Sequence, residues 1–208
     1  NGEFGASAEA ILDIAVSADA ADRDALMATK NAEGHTVEEM VTEKSGQTGE
    51  KVELAYYARV EAPYCVSYVH FNKKLGTVLG FNKAIDEDTA KKIAMQATAM
   101  APLSIDENDC PADVVEKEKA IQMEMMKQDP KNANKPEAIL EQIAAGKMRK
   151  FYEENTLLNQ CVVGEKESIR ELIQKADKEA TVVAYKRFAL EAYFGVIRSH
   201  LRPLNHCP

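Results

Sequence analysis

The residues best suited to covalent or metal chemistry in this chain are four cysteines (Cys65, Cys110, Cys161, Cys207) and a few histidines. An enzyme built on them would need Cys, His and Asp groups converging on one point. Cys65 and His70 are five positions apart in a stretch that reads as one strand, and an odd spacing puts them on opposite faces. No C-x-x-C pair occurs, and no cysteine sits beside a metal-ligand set. The four cysteines therefore read as reduced thiols of a cytosolic protein, used for packing. His200, His206 and Cys207 could hold only an adventitious metal. Lys147, Arg149 and Lys150 could touch phosphates, but they fall late in a helix, where cations are favoured and solvated. Met123, Met125, Met126 and Met148 could form an adaptable binding face, though at helical spacing such residues more often fill a core or seam. Glu116-Lys117-Glu118-Lys119 reads as a solvated face. On these residues the enzyme reading ranks last, and no native metal site is expected.

The bulk numbers narrow the class further. At 208 residues the chain has room for one or two compact units, and 45% hydrophobic residues suffice for a core. A net charge of −8 disfavours direct binding to nucleic acid or an anionic membrane. No apolar run approaches the ~20 residues of a membrane span. The first residue is Asn1 and no signal peptide precedes it, which predicts a processed chain or a fragment located in the cytoplasm.

The elements that position these side chains are organised around residues 111–154. Pro111 suits the start of a helix, and Asp113 and Glu116 meet its positive end. Val114, Ile121 and Met125 recur at helical spacing. Two prolines and two asparagines between Asp129 and Pro136 break the helix. Ile139, Leu140, Ile143, Ala144, Met148 and Phe151 then mark a second one. The short connection predicts antiparallel neighbours, with a seam through Ile121, Met125, Ile143 and Met148.

Before this hairpin, residues 1–50 read as mostly helical. Phe4, Ala8, Ile11, Leu12 and Ala15 form one stripe, and Thr36 caps a helix that Gly46-Gln47-Thr48-Gly49 ends. The period then changes. Val52, Leu54, Tyr56, Ala58 and Val60 alternate as a strand, followed by strands at 64–70 and 75–81 around the turn Phe71-Asn72-Lys73-Lys74. Asp86 opens a helix that stops at Pro102. After the hairpin, residues 168–176 predict a short helix and 181–190 a last strand that must return to the first sheet. The tail from Tyr193 has no acid and reads as a non-native or disordered end. The fold class is α+β, with the hairpin an insertion.

Several motifs then agree. Lys92-Ile93-Ala94-Met95-Gln96-Ala97, Ala101-Pro102, Pro111 to Glu118, Gly146 to Glu154, Leu158-Asn159-Gln160 and Gly49 to Leu54 occur in order. Together they resemble the bacterial translation elongation factor Ts family over about residues 4 to 192. The resemblance implies two small α+β subdomains with antiparallel sheets plus an inserted antiparallel coiled-coil hairpin. Residues 1–50 would be the remainder of the first subdomain, 51–105 and 155–192 the second, 106–154 the insertion, and 193–208 the tail. The function implied is guanine-nucleotide exchange on the GTPase elongation factor Tu, without a catalytic constellation or cofactor, because such a factor acts by preferring the nucleotide-free partner.

The resemblance also implies where the partner binds. His70, Phe71 and Asn72 match the family's sheet-tip turn, whose histidine contacts the GTPase's third domain. Val162 and Val163 match a segment packed beside that turn. There Cys161 stands where proline is usual and Gly164 where a larger residue is usual, which predicts a looser segment. Thr48, where the family usually has an apolar residue, matches a region supporting contact with the nucleotide domain. The family's Thr-Asp-Phe-Val motif would fall before Asn1, so weak binding and impaired exchange are expected. The alternative is a scaffold that homodimerises through the hairpin seam.

Overall fold

The computed structural model describes residues 2–132 and 135–190. The predicted tail and its His200, His206 and Cys207 lie outside the described residues. Two compact units are present, Asn1–Arg59 and Val60–Pro208.

The first unit holds three helices: α1 (Gly2–Ala18), α2 (Arg23–Ala28) and α3 (Val37–Thr48). Thr36 caps α3 reciprocally with Glu39: the Thr36 hydroxyl accepts the Glu39 N–H, and the Glu39 carboxylate accepts the Thr36 N–H. Gly49 ends the helix at φ 69°, a left-handed conformation that costs glycine nothing. Ala15, Ala20, Leu26, Val37 and Val41 form the core, with Ile11 and Ile14 packed against it. The inward stripe of α1 is thus Ile11–Ile14–Ala15; Phe4 and Leu12, predicted inward, are 46% and 59% exposed.

The strand expected at 52–60 does not form; residues 51–62 have no regular structure. Its alternation has a different cause. Val52, Leu54 and Tyr57 lie on the helical core, the Tyr57 hydroxyl donates to the Ala20 carbonyl at 2.7 Å, and the Leu54 carbonyl accepts from Arg23 Nε. An extended chain laid on helices buries alternate residues as a strand does, but it has no ladder partner. Among the described residues the first unit has no strand.

The second unit carries the sheet, in the order β1 (Tyr64–Val69), β2 (Leu75–Phe81), β3 (Val182–Ala189), all antiparallel. The last strand returns to the first hairpin as expected. Helix α4 (Glu87–Met100) crosses one face of the sheet. Asp86 caps its start, and Ala101 takes a left-handed conformation before Pro102. Ile93, Ala94 and Ala97 of α4 pack with Val66, Leu79, Phe81, Leu157 and Val182, closed by Ile169 and Ile173 of α7 (Ile169–Ala176). On the other face, Gly80 lies under residues 60–62: a Cβ there would meet the Ala62 Cβ at 2.7 Å and the Ala184 Cβ at 3.1 Å.

Helices α5 (Ala112–Gln128) and α6 (Glu137–Asn155) sit between α4 and α7 in sequence and pack on each other. Both begin immediately after a proline, Pro111 and Pro136. Met126 and Met148 are the buried residues of the pair, while Ile121 and Met125 are 49% and 48% exposed and Ile143 is partly buried. The inward face of α5 is therefore turned by about one residue from the predicted seam. It holds Val115, Glu118, Gln122 and Met126, where polar residues contribute their aliphatic stems.

The chain enters and leaves this pair through a bonded root. The Leu103 N–H donates to the Asn155 carbonyl, Leu157 to Ser104 and Leu158 to Ile105, each at 2.8 to 3.0 Å. The Asp106 carboxylate then accepts from Arg170 (2.7 Å), Asn159 (3.0 Å) and the Glu107 N–H (2.9 Å). Burial works to raise the Asp106 carboxyl, but Arg170, the Glu107 N–H and Asn159 outweigh it and hold it below the usual carboxylate range.

Candidate functional site

The β1–β2 connection is a tight turn. The His70 N–H donates to the Leu75 carbonyl, the Lys73 N–H donates back to the His70 carbonyl at 2.8 Å, and the Lys74 N–H is held by the Asn72 side chain at 2.9 Å. Lys73 takes φ 56°, a left-handed position that closes the turn. The His70 ring is fixed between two aromatics. Tyr68 Oη lies 3.2 Å from Nδ1, and the Phe71 ring centroid is 4.4 Å away. Phe71 itself is 86% exposed and its neighbour Val69 is 64% exposed. The turn thus holds a large aromatic out in water.

The second predicted region is also a tight turn. Cys161 bridges Ser168, the Val162 N–H donates to the Glu167 carbonyl, and the Glu165 N–H donates back to the Val162 carbonyl. Gly164 sits at φ 81°, where a larger residue would be strained. The segment is tied down rather than loosened by its glycine. Val162 is buried in the core, and Val163 is 59% exposed. Lys92 of α4 pairs with Glu165, and that ammonium holds the Glu165 carboxyl below its usual range. Cys161 is disulfide-bonded, a correction to the expectation of four reduced thiols; Cys65 and Cys110 are free.

The C-terminal half of α4 is bonded to β2 of the hairpin and directly to the second turn. The Thr98 hydroxyl lies 2.8 Å from Thr77 Oγ1, and Thr77 pairs with Tyr68 beside the β1–β2 turn. Arg187 of β3 donates from Nε to the Thr98 carbonyl at 2.9 Å. Two residues earlier, the Gln96 amide donates to the Cys161 carbonyl and accepts the Val163 N–H. Sequence reading missed Gln96 and Thr98. The available signal was a polar pair on the face of α4 that Ala90, Ile93, Ala94 and Ala97 make apolar.

Thr48 belongs to the other unit, exposed in the last turn of α3, with its hydroxyl bonded to the Lys44 carbonyl at 3.0 Å. Beside Val163, a cleft of about 950 Å³ opens between α6 (Arg149, Glu153) and the 160–168 turn. On its α6 wall Arg149 pairs with Glu153 and Lys150 with Glu154. Among the described residues no three His, Cys, Asp or Glu side chains are grouped to hold a metal, and no helix is long and apolar enough to cross a membrane.

Comparison with known proteins identifies the family. The sequence model of the family described as Elongation factor TS matches residues 1–192. The chain is similar to the elongation factor Ts of Porphyromonas gingivalis, 36% identical over 193 residues that cover 92% of this chain and 69% of that one. It is 41% identical over 160 residues to the elongation factor Ts of Azobacteroides pseudotrichonymphae, covering 76% of this chain and 57% of that one. A relative from Bacteroides thetaiotaomicron with the same name is 31% identical, across 92% of this chain and 74% of its own. A family match over residues 1–192 places the chain in the elongation factor Ts family of translation elongation factors.

Proposed function

We propose that this chain binds elongation factor Tu and promotes guanine-nucleotide exchange on it in the cytoplasm, using contact surfaces rather than catalytic groups. The observation that carries this reading is Phe71, 86% exposed on a turn closed by two backbone hydrogen bonds and one to the Asn72 side chain, with its ring tilted against His70. Val163 supplies a second exposed apolar contact on a second fixed turn. Exchange of this kind needs only that the factor prefer the nucleotide-free GTPase; reciprocity then weakens the nucleotide by the same factor. Neither a cofactor nor a direct nucleic-acid contact enters this scheme.

The test is release of a fluorescent GDP from elongation factor Tu. The wild-type chain should accelerate release, and Phe71→Ala and His70→Ala should each reduce the effect. Truncating an exposed aromatic that becomes central to an interface costs on the order of 2 kcal/mol, or about 30-fold in affinity. Release that the wild-type chain leaves unchanged, with no capture of nucleotide-free elongation factor Tu, would overturn the proposal.

A homodimer through the helical pair is a second reading, favoured by Ile121 and Met125. They are one helical turn apart on α5 and half exposed, while Met126 and Met148 are consumed within the chain.

A further inference from the structure

We propose that Gln96 is a positioning residue for the partner contact: its side-chain amide stands in for a neighbouring strand and sets the direction in which Val163 is presented. The inference rests on the reading of Val163 as a contact residue given above.

Gln96 is 6% exposed, on a helix face whose other residues are small or aliphatic. A glutamine there needs partners for both ends of its amide. It finds them on the two sides of one residue. Nε2 donates to the Cys161 carbonyl at 2.9 Å, and Oε1 accepts the Val163 N–H at 3.1 Å; Nε2 also lies 3.4 Å from Gln160 Oε1. A carbonyl and an N–H that flank a single residue are the pair a β-ladder partner engages. Val162 lies between them, and its side chain is 1% exposed. With Val162 turned into the core and the flanking backbone pinned, Val163 must face outward, where it is 59% exposed.

The chemistry is specific to an amide. Glutamate would lose the donor to Cys161, and methionine or leucine would lose both bonds while filling the same space. On the far side of the turn the Val162 N–H bonds the Glu167 carbonyl and Cys161 bridges Ser168, which holds the loop closed. Gln96 is the group on α4 that engages both the Cys161 carbonyl and the Val163 N–H.

The experiment measures affinity for nucleotide-free elongation factor Tu with the full chain. The variants are Gln96→Met, Val163→Ala, the pair together, and Gln96→Met combined with Phe71→Ala. Amide exchange at Val163 is followed in parallel. Gln96→Met should weaken binding about tenfold, with helical content and the cooperative melt retained. It should abolish protection of the Val163 amide. The Gln96→Met/Val163→Ala pair should be no weaker than the stronger single variant, because a released turn no longer delivers the side chain. Combination with Phe71→Ala, on the other turn, should be additive. A packing role alone would lower the melting temperature while leaving binding unchanged and Val163 additive; that result overturns the inference. If the wild-type chain binds and Gln96→Met binds equally well, only the positioning role falls. If the wild-type chain does not bind, the functional reading falls and takes the positioning role with it.

Discussion

Asp106 at the root of the helical pair gives the sharpest stability prediction. Removing its carboxylate in Asp106→Ala deletes bonds from Arg170, Asn159 and the Glu107 N–H in one step. The Asp106 side chain is 23% exposed and that of Arg170 is 38% exposed, so the ion pair is partly screened and contributes about 1 kcal/mol. The Asn159 bond and the cap on Glu107 add about 1 kcal/mol between them. The expected loss is about 2 kcal/mol, or about 4–8 °C in Tm for a chain of this size. Asp106→Asn keeps an acceptor for the Glu107 N–H and should lose about half as much. The pH dependence follows from the sign of the shift. The folded-state pKa of Asp106 is depressed below the ordinary value near 3.9, so its contribution is complete above about pH 4 and is lost as pH falls through the folded value. Urea unfolding followed by circular dichroism, at pH 7 and at pH 3, measures both effects. The wild-type and Asp106→Ala curves should differ at pH 7 and differ less at pH 3. A difference under about 0.5 kcal/mol at pH 7, within the range of ordinary surface substitutions, would refute the reasoning; so would a difference that persists undiminished in acid.

Other outcomes test separate parts of the fold. Gly80→Ala should destabilise by about 1–3 kcal/mol, read by urea unfolding, because the new Cβ would meet Ala62, Ala184 and Val60 within 3.2 Å on the covered face of the sheet. Ser168→Ala removes the hydroxyl that accepts the Glu171 N–H at the start of α7 and should cost about 1 kcal/mol in the same assay. Ile121→Glu/Met125→Glu should leave the melting temperature within about 2 °C of wild type, since both side chains are half exposed. Sedimentation of the same variant should show a shift to monomer if the α5 face joins two copies.

Most of the second unit was legible from sequence because its local signals agree. Asp86 before a helix, proline before α5 and α6, and β-branched runs around Asn72-Lys73 each have one physical reading, and the structure adopts it. Residues 52–60 show where that logic stops. Alternation reports that one side of an extended chain is buried; it does not report whether the burying surface is a sheet or a helix, and here it is α1–α3. The face that α5 buries within the chain shows a related limit. Ile121 and Met125 are the more apolar choices, yet the buried face runs through Glu118 and Gln122, whose stems pack as well as their ends solvate. In the site, exposed Phe71 and Val163 could be found by resemblance, but Gln96 could not be assigned a role, because its partners are 64 to 67 positions away and backbone atoms leave no trace in a sequence.

On the proposed reading, the arrangement around α4 would let contact surfaces alone do the work. Its apolar face builds the core, Thr98 fastens the sheet beside Thr77, and Gln96 fastens the turn that carries Val163. Ordering a free loop or side chain at an interface costs about 0.5–1.5 kcal/mol for each rotamer-rich group immobilised. Phe71 and Val163 have two and one side-chain torsions, and their backbones are already bonded, so little of that cost remains at association. Binding free energy that is not consumed in ordering the factor is available to distort its partner. On the proposed exchange reading that distortion would be the function, and α4, bonded to the sheet at Thr77 and to the Cys161–Val163 turn, would present both turns for it.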